Sequence, residues 1–246
     1  MSLLDETVEI PRRTMTLFFV IDTSGSMAGS KIGAVNDAVV NVLPMLEEIS
    51  AENPDAEIKV AALEFSTTCN WLYSDPKPAN EFVWQDVQAN ALTSLGAACK
   101  ELSSKLSRSG FMKSASGSFA PAIILLSDGA PTDDFESGLA TLKQNNWFKA
   151  AIKVAIAIGD DADKEVLTQF TGTNEAVFTV HNIEALKQII RVVAVTSSQI
   201  GSKSSTAGDT TKQDQVIAEV KSAVDNIGGA EVASSPSSTV SYDDWD

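Results

Sequence analysis

The sequence predicts an α/β fold, because two kinds of segment alternate along it. Short continuous apolar runs, such as residues 17–21 and 122–126, are typical of strands covered on both faces. Longer segments with apolar residues at helical spacing lie between such runs, for example residues 32–49. We therefore expect a Rossmann-like, doubly wound, mostly parallel central sheet of about six strands, with helices on both of its faces.

The predicted elements follow one another in a regular order. The predicted strands are residues 17–21, 58–65, 69–73, 122–126, 154–158 and 176–180. The predicted helices are residues 32–49, 93–106, 135–148, 163–170 and 183–198. Residues 69–73 follow the second strand after a short polar turn, so we expect them to form one antiparallel edge strand. Right-handed crossovers between the other strands would place ligand sites at the carboxyl ends of those strands.

The domain boundaries are predicted from changes in composition. Residues 1–13 form a polar N-terminal extension, and residues 14–200 carry the alternating pattern of the α/β domain. Residues 201–246 are rich in Ser, Thr, Ala, Gly and Asp, which is typical of a flexible tail. Val216, Val220 and Val224 recur at helical spacing within it, so we expect a short helix near residues 214–227.

The net charge of −15 argues against binding to nucleic acids or to anionic membranes. The longest apolar runs are far shorter than the roughly 20 residues of a membrane-spanning helix. The N-terminal residues lack the order of regions that defines a secretory signal. Two cysteines, Cys69 and Cys99, do not form a disulfide framework, so we expect both to be reduced. Together these features predict a cytoplasmic protein.

Three separate loops rich in oxygen ligands indicate a metal site. Asp22-Thr23-Ser24-Gly25-Ser26 directly follows the first strand, Thr93 begins a predicted helix, and Ser127-Asp128-Gly129 follows a later central strand. Side chains alternate in an extended segment, so Asp22, Ser24 and Ser26 can project to one side. Hydroxyl and carboxylate ligands suit a hard cation such as Mg²⁺, with Mn²⁺ and Ca²⁺ as alternatives, and no Cys/His set is present for zinc.

These three motifs resemble, in order and context, the metal-ion-dependent adhesion site of von Willebrand factor A domains, over about residues 14–198. The resemblance implies that Ser24 and Ser26 bind the metal directly. It also implies that Thr93 binds directly or through water depending on state, and that Asp22 and Asp128 act mostly through water. The same five residues would then form the partner-binding surface. Here Ala91-Leu92 precede Thr93, where the family often has small, flexible residues.

Neutral hydroxyl ligands explain the expected function. A Mg²⁺ ion held mainly by hydroxyls keeps much of its charge and an open coordination position, so it attracts a carboxylate from a partner protein. Met27, the compact length and the missing export signal resemble intracellular bacterial forms, in particular the tellurite-resistance-associated TerY-like group. That resemblance implies an adaptor in a stress or signalling assembly, with a Ser/Thr kinase or phosphatase as partner.

Two other functions compete with this non-enzymatic reading. A haloacid-dehalogenase-type Mg²⁺-dependent phosphotransferase would use Asp22 as its nucleophile, but it needs a proton-donating carboxylate two residues later, where Ser24 stands. The second alternative is a scaffold domain with an idle metal site. The acidic and aromatic end of the tail, residues 242–246, is interpreted first as a solubilising tail, with docking on a partner or on another copy of the chain as the alternative.

Overall fold

The computed structural model describes residues 12–114, 116–159, 162–202, 211–227 and 230–233. The strands are β1 (Arg13–Asp22), β2 (Ala56–Phe65), β3 (Cys69–Trp71), β4 (Lys77–Pro78), β5 (Ala122–Ser127), β6 (Ile152–Ile158), β7 (Val177–Val180) and β8 (Ala230–Val232). The helices are α1 (Ser30–Glu52), α2 (Leu95–Lys105), α3 (Phe135–Gln144), α4 (Asn146–Ala150), α5 (Lys164–Thr171), α6 (Ile183–Ser202) and α7 (Lys212–Ile227).

The described strands form one eight-stranded sheet in the order β3-β2-β1-β5-β6-β7-β8, with β4 also paired to β2. The five strands from β2 to β7 in this order are parallel. Their carboxyl ends therefore lie at the same edge of the sheet, which is where open α/β sheets bind ligands. The predicted fold class, a mostly parallel sheet with helices around it, is confirmed.

Both edges of the sheet are antiparallel, which corrects the expectation of six strands and one antiparallel edge. β3 and β4 pair antiparallel with β2, and β8 pairs antiparallel with β7. β4 has two residues and β8 has three, so neither is long enough to show a period in the sequence. Only pairing with a neighbouring strand defines them.

The sheet is buried on both faces, as the apolar runs predict. On β1, Leu17, Phe19 and Ile21 pack into a core with α1, α6 and α7. Phe18 and Val20 point to the opposite face and pack into a second core with α2, α3 and α5. This alternation along one strand explains why β1 is continuously apolar rather than alternating with polar residues.

The fold continues beyond residue 200, where the short helix predicted near residues 214–227 is α7 (Lys212–Ile227) and belongs to the α/β domain rather than to a flexible tail. α7 packs against α6, and its Val216, Val220 and Val224 are buried in the core beneath α1 and α6. The valines lie on one face of the helix because they are four residues apart. The predicted boundary between the N-terminal extension and the domain, after residue 13, also lies too late, because Arg13 already belongs to β1. The predicted docking segment 242–246 lies outside the described residues.

The predicted helix over residues 135–148 is two helices in the structure. Asn145 separates α3 from α4, and its Oδ1 accepts hydrogen bonds from the backbone N–H groups of Trp147 and Phe148. Its side-chain amide also donates to the carbonyl oxygens of Ser103 and Leu106, which ties the break to the end of α2. An N-cap in this position starts a new helix rather than continuing the old one.

Both cysteines are free, as expected. Cys99 is buried on α2 and Cys69 is partly buried on β3. Across the parts of the chain that are described, no helix is both long and apolar enough to cross a membrane.

Candidate metal centre

The first loop of the site begins at the carboxyl end of β1. The Asp22 carboxylate is fully buried, and its Oδ1 accepts a hydrogen bond from the Ser24 backbone N–H at 2.8 Å. This bond bends the chain directly after the strand. The Ser24 and Ser26 hydroxyl oxygens then lie 2.9 Å apart, so both reach the same small volume. Two neutral oxygens at this separation are suitable ligands for one cation.

A hydroxyl from the neighbouring strand fixes the other oxygen of Asp22. Ser127, the last residue of β5, donates its hydroxyl proton to Asp22 Oδ2 at 2.6 Å. Burial raises the pKa of Asp22, hydrogen bonds from Ser127 and Ser24 oppose this effect, and the charge of Asp128 raises the pKa further. A bound cation would stabilise the ionised forms of these two carboxylates, because it would offset the repulsion between their negative charges.

The second loop, which carries Thr93, is held between the other two loops. Thr93 is buried and precedes α2, so it belongs to the loop rather than to the predicted helix. The carbonyl oxygen of Ala91 accepts a hydrogen bond from the Gly25 N–H at 3.0 Å. Thr132 donates its backbone N–H to the Thr93 carbonyl oxygen at 2.8 Å, and its hydroxyl accepts from the Thr93 N–H at 3.2 Å. These bonds fix the loop on both sides.

The backbone of this second loop is strained at one residue. Ala91 has φ 59°, and it is the one non-glycine residue with positive φ in the described ranges. This left-handed conformation costs a residue with a Cβ about 1–2 kcal/mol. The strained residue lies two positions before Thr93, and its carbonyl oxygen is the one that accepts the hydrogen bond from Gly25.

The third loop places Asp128 beside a lysine. Lys31 at the start of α1 lies with its Nζ 3.4 Å from Asp128 Oδ2. The second oxygen, Asp128 Oδ1, is buried and has no hydrogen-bond partner among the described residues. Gly129 follows at φ 75°, and a Cβ there would come within 2.7 Å of the Asp163 carbonyl oxygen. The loop therefore requires glycine at position 129. It also holds one carboxylate oxygen of Asp128 in a buried place without a hydrogen-bond partner.

The arrangement fits a divalent cation with oxygen ligands. A buried acceptor without a donor is costly unless it binds an ion or water, and Asp128 Oδ1 is such an acceptor. The described residues contain no group of three or more His, Cys, Asp or Glu that could hold a metal. A cation bound at this place would therefore take part of its ligand set from hydroxyls. Ser24, Ser26 and Thr93 would supply them, with Asp22 and Asp128 close by.

Three residues of this site were not predicted as site residues from the sequence. Ser127 orients Asp22, Thr132 holds Thr93, and Lys31 pairs with Asp128. Ser127 could have been suspected, since it ends a buried strand directly before a predicted ligand. Thr132 and Lys31 carry no local signal, because their roles depend on loops that are distant in the sequence.

The chain matches a known protein family. Residues 16–192 match the family model of the von Willebrand factor type A domain. The match covers most of the chain, and the protein therefore belongs to this family. No curated protein matches the sequence.

Solved structures show the same fold at low sequence identity. The pilus adhesin SpaC from Lactobacillus rhamnosus GG, in its open conformation, superposes with a TM-score of 0.60 at 14% identity, over 77% of this chain and 30% of that one. Proximal thread matrix protein 1 from the mussel byssus, with a zinc-occupied MIDAS motif, gives 0.56 at 16% identity, over 76% of this chain and 48% of that one. BatB from Bacteroides thetaiotaomicron gives 0.51 at 11% identity, over 75% and 99%. The chain thus spans less than half the length of the first two.

Proposed function

We propose that this chain is a non-enzymatic interaction module that binds an acidic residue of a partner protein through a divalent cation. Ser24, Ser26 and Thr93 would hold the ion, with Asp22 and Asp128 acting mostly through water. One observation carries the proposal: the hydroxyls of Ser24 and Ser26 lie 2.9 Å apart in the loop that follows the buried carboxylate of Asp22. The charge of Asp128, which has a buried oxygen without a hydrogen-bond partner, raises the pKa of Asp22. We expect Mg²⁺ as the ion, with Mn²⁺ and Ca²⁺ as alternatives.

The ligand types favour binding of an external carboxylate. Hydroxyl oxygens do not neutralise the ion, so a carboxylate from outside gains a strong electrostatic interaction when it completes the coordination shell. The overall charge of −15 does not prevent this, since repulsion from distant surface charges is screened beyond roughly 8–10 Å at physiological ionic strength. The attraction of a partner carboxylate to the bound ion therefore exceeds its repulsion from the distant surface charges.

The geometry of Asp22 supports a binding role over phosphotransfer. A nucleophilic aspartate must present an oxygen to the substrate, whereas Asp22 is fully buried and both of its oxygens accept hydrogen bonds, from Ser24 and Ser127. The residue two positions later is Ser24, whose hydroxyl is too weak an acid to protonate a leaving group. We therefore keep the phosphotransferase only as the alternative that a phosphatase assay with Mg²⁺ would reveal.

The narrower assignments stay predictions. They are membership of the TerY-like group, a cytoplasmic adaptor role in a bacterial stress or signalling assembly, and a Ser/Thr kinase or phosphatase as partner. They depend on the resemblance of Met27, whose side chain is buried in the core rather than in the site.

Partner capture with and without metal tests the proposal. The chain is used as bait in an extract of its source cell, with Mg²⁺ and then with EDTA, and Mn²⁺ affinity is measured by calorimetry. We expect EDTA to release the partner, and Ser24→Ala combined with Ser26→Ala to lower the metal affinity more than tenfold and abolish capture. Ser137→Ala, on the exposed side of α3, is the matched control. Capture that survives both EDTA and the double variant would leave only the scaffold with an idle metal site.

A further inference from the structure

We infer that Asp133 is a positioning residue of the candidate metal centre. Its carboxylate caps α2 from the loop that also carries Asp128, and this cap holds Thr93, which lies just before α2, in place to bind the ion. A group of hydrogen bonds joins residues 132–133 to residues 93–97. The inference rests on the proposed function, because it assigns to Asp133 the placement of one of the proposed ligands.

The first turn of α2 takes its cap from Asp133 and not from its own N-cap residue. Ser94 occupies the N-cap position, and in this described part of the chain its side chain accepts no hydrogen bond from the helix. The Gly96 N–H donates to Asp133 Oδ1 at 2.9 Å, and the Ala97 N–H donates to Asp133 Oδ2 at 2.8 Å. The first N–H groups of a helix need an acceptor from outside it, and the helix dipole favours a negative charge there. The start of α2 therefore depends on Asp133.

Thr132, the residue before Asp133, binds the backbone of Thr93. Its hydroxyl accepts from the Thr93 N–H at 3.2 Å, and its own N–H donates to the Thr93 carbonyl oxygen at 2.8 Å. Consecutive residues of one loop therefore hold the other segment at two points, at Thr93 and at residues 96–97. A single point of attachment would let the segment turn about it. The second point, which Asp133 supplies, fixes the direction in which the Thr93 side chain leaves the backbone.

Glycines at two helix starts allow the close approach that these bonds need. A Cβ at position 96 would lie 2.4 Å from the Asp134 carbonyl oxygen and 3.0 Å from Asp133 Oδ2. A Cβ at Gly138 of α3 would lie 2.2 Å from the Gly96 carbonyl oxygen. The start of α3 therefore packs directly against the start of α2, and the Asp133 carboxylate has little room to move away from it.

These contacts hold Thr93 between the other two loops of the site. On one side are Thr132 and Asp133, and on the other the Gly25 N–H donates to the Ala91 carbonyl oxygen at 3.0 Å. Residues that hold metal ligands in place typically contribute about 10–100-fold to metal affinity. Asp133 acts on the backbone beside Thr93 and not on its hydroxyl, so we expect the lower end of this range, about tenfold.

Calorimetric Mn²⁺ affinities of the whole chain test the inference with two substitutions at one position. Asp133→Ala removes both hydrogen bonds to α2, whereas Asp133→Asn keeps one acceptor oxygen, and asparagine is a good helix cap. We expect binding about tenfold weaker in Asp133→Ala and no more than about threefold weaker in Asp133→Asn. Both substitutions remove the same negative charge, so an effect of charge alone would be equal in the two variants.

A double-mutant cycle with Thr93→Ala shows whether Asp133 acts through Thr93. If it does, Asp133→Ala should change the Mn²⁺ affinity of the Thr93→Ala chain by less than about twofold. If the Thr93→Ala chain binds too weakly for calorimetry, the difference between Asp133→Ala and Asp133→Asn decides. If Asp133→Ala does not fold, Asp133→Ser, with a shorter side chain, one acceptor oxygen and no charge, replaces it.

Two controls separate positioning from loss of stability and from loss of charge. Asn145→Ala removes the side-chain cap of α4, the helix directly before β6, and should lower the free energy of unfolding but keep the Mn²⁺ affinity within about twofold. Asp134→Asn removes the neighbouring negative charge but keeps an N-cap for α3, and should also stay within about twofold. Urea denaturation with EDTA measures the stability of each variant.

The outcomes distinguish the inference from the proposed function. A wild-type chain that binds no Mn²⁺ refutes both. If the wild-type chain binds Mn²⁺, three results refute the positioning role alone: an unchanged affinity in Asp133→Ala, equal losses in Asp133→Ala and Asp133→Asn, or a loss that persists in the Thr93→Ala chain.

Discussion

Replacing Lys31 with methionine should raise the affinity of the site for its metal. In the structure, the Lys31 ammonium group is the positive charge beside Asp128, at 3.4 Å from Oδ2. A cation that uses this carboxylate must compete with the ammonium group for it. Methionine keeps the length and most of the apolar volume of lysine but removes the charge, so it tests the electrostatic contribution rather than the packing.

The magnitude follows from the distance and the burial. Two unit charges 3.4 Å apart attract each other by about 1 kcal/mol at the permittivity of water and about 5 kcal/mol at an effective permittivity of 20. Asp128 has 4% of its side chain exposed and Lys31 has 19%, so the pair is neither a surface pair nor fully buried. After desolvation is subtracted, a net contribution of about 1–2 kcal/mol remains. Since about 1.4 kcal/mol is tenfold in affinity, Lys31→Met should bind Mg²⁺ or Mn²⁺ about tenfold more tightly.

The same substitution should change the stability of the protein by different amounts without and with bound metal. Without metal, Lys31→Met leaves Asp128 with less compensation, so the free energy of unfolding should fall by about 1–2 kcal/mol. With saturating metal, the gain in binding offsets most of this loss, because metal that binds only the folded state adds to its stability. Urea denaturation with EDTA and with Mg²⁺, together with calorimetric Mn²⁺ affinities, measures both effects.

A control isolates the local effect from the change in net charge. Lys100→Met makes the same change in charge on α2, where the lysine is exposed, and should leave the metal affinity within about twofold. A metal affinity of Lys31→Met that is unchanged or lower would refute the competition between the ammonium group and the ion.

Three further predictions concern packing, backbone strain and thiol reactivity. A Cβ at Gly138 on α3 would lie 2.2 Å from a carbonyl oxygen of α2, so Gly138→Ala should lower the free energy of unfolding by about 1–3 kcal/mol in urea denaturation. Ala91→Gly should raise it by up to about 1 kcal/mol, because relief of the left-handed strain exceeds the entropy cost of glycine. Burial raises the pKa of Cys99 to about 12 and that of Cys69 to about 11. At pH 8 the thiolate fraction of Cys69 is therefore about 0.1%, and a disulfide reagent should label neither thiol quickly until urea unfolds the chain.

Each of these predictions has a control and a contrary result. Ala140→Gly at an exposed position of α3 should cost no more than about 1 kcal/mol, and an equal or smaller loss for Gly138→Ala would contradict the close helix contact. A loss of stability in Ala91→Gly would contradict this prediction, because it would show that the packing of the Ala91 methyl group stabilises the fold by more than the backbone strain costs. Labelling of native Cys69 as fast as that of a free thiol would contradict the expected effect of burial.

Much of the candidate metal centre could be predicted because its signals are local. Asp22, Ser24 and Ser26 lie within five residues of one another at the end of one strand, and Asp128 directly follows another. Parallel strands bring such positions to one edge of the sheet, whatever the details of packing. Thr93 was predicted at the first position of a helix, whereas the structure places it in the loop before that helix.

The continuous apolar runs of β1 and β5 already dictated a parallel sheet covered on both faces, because strands buried on two sides have no polar face to show. The edges of the sheet, the docking of α7 on α6, and the contacts of Lys31, Ser127 and Thr132 were decided only in three dimensions. Very short strands carry no period, and these contacts join residues roughly 40 to 100 positions apart. Local sequence patterns report which face of an element is buried, whereas tertiary structure alone selects the neighbour that covers it.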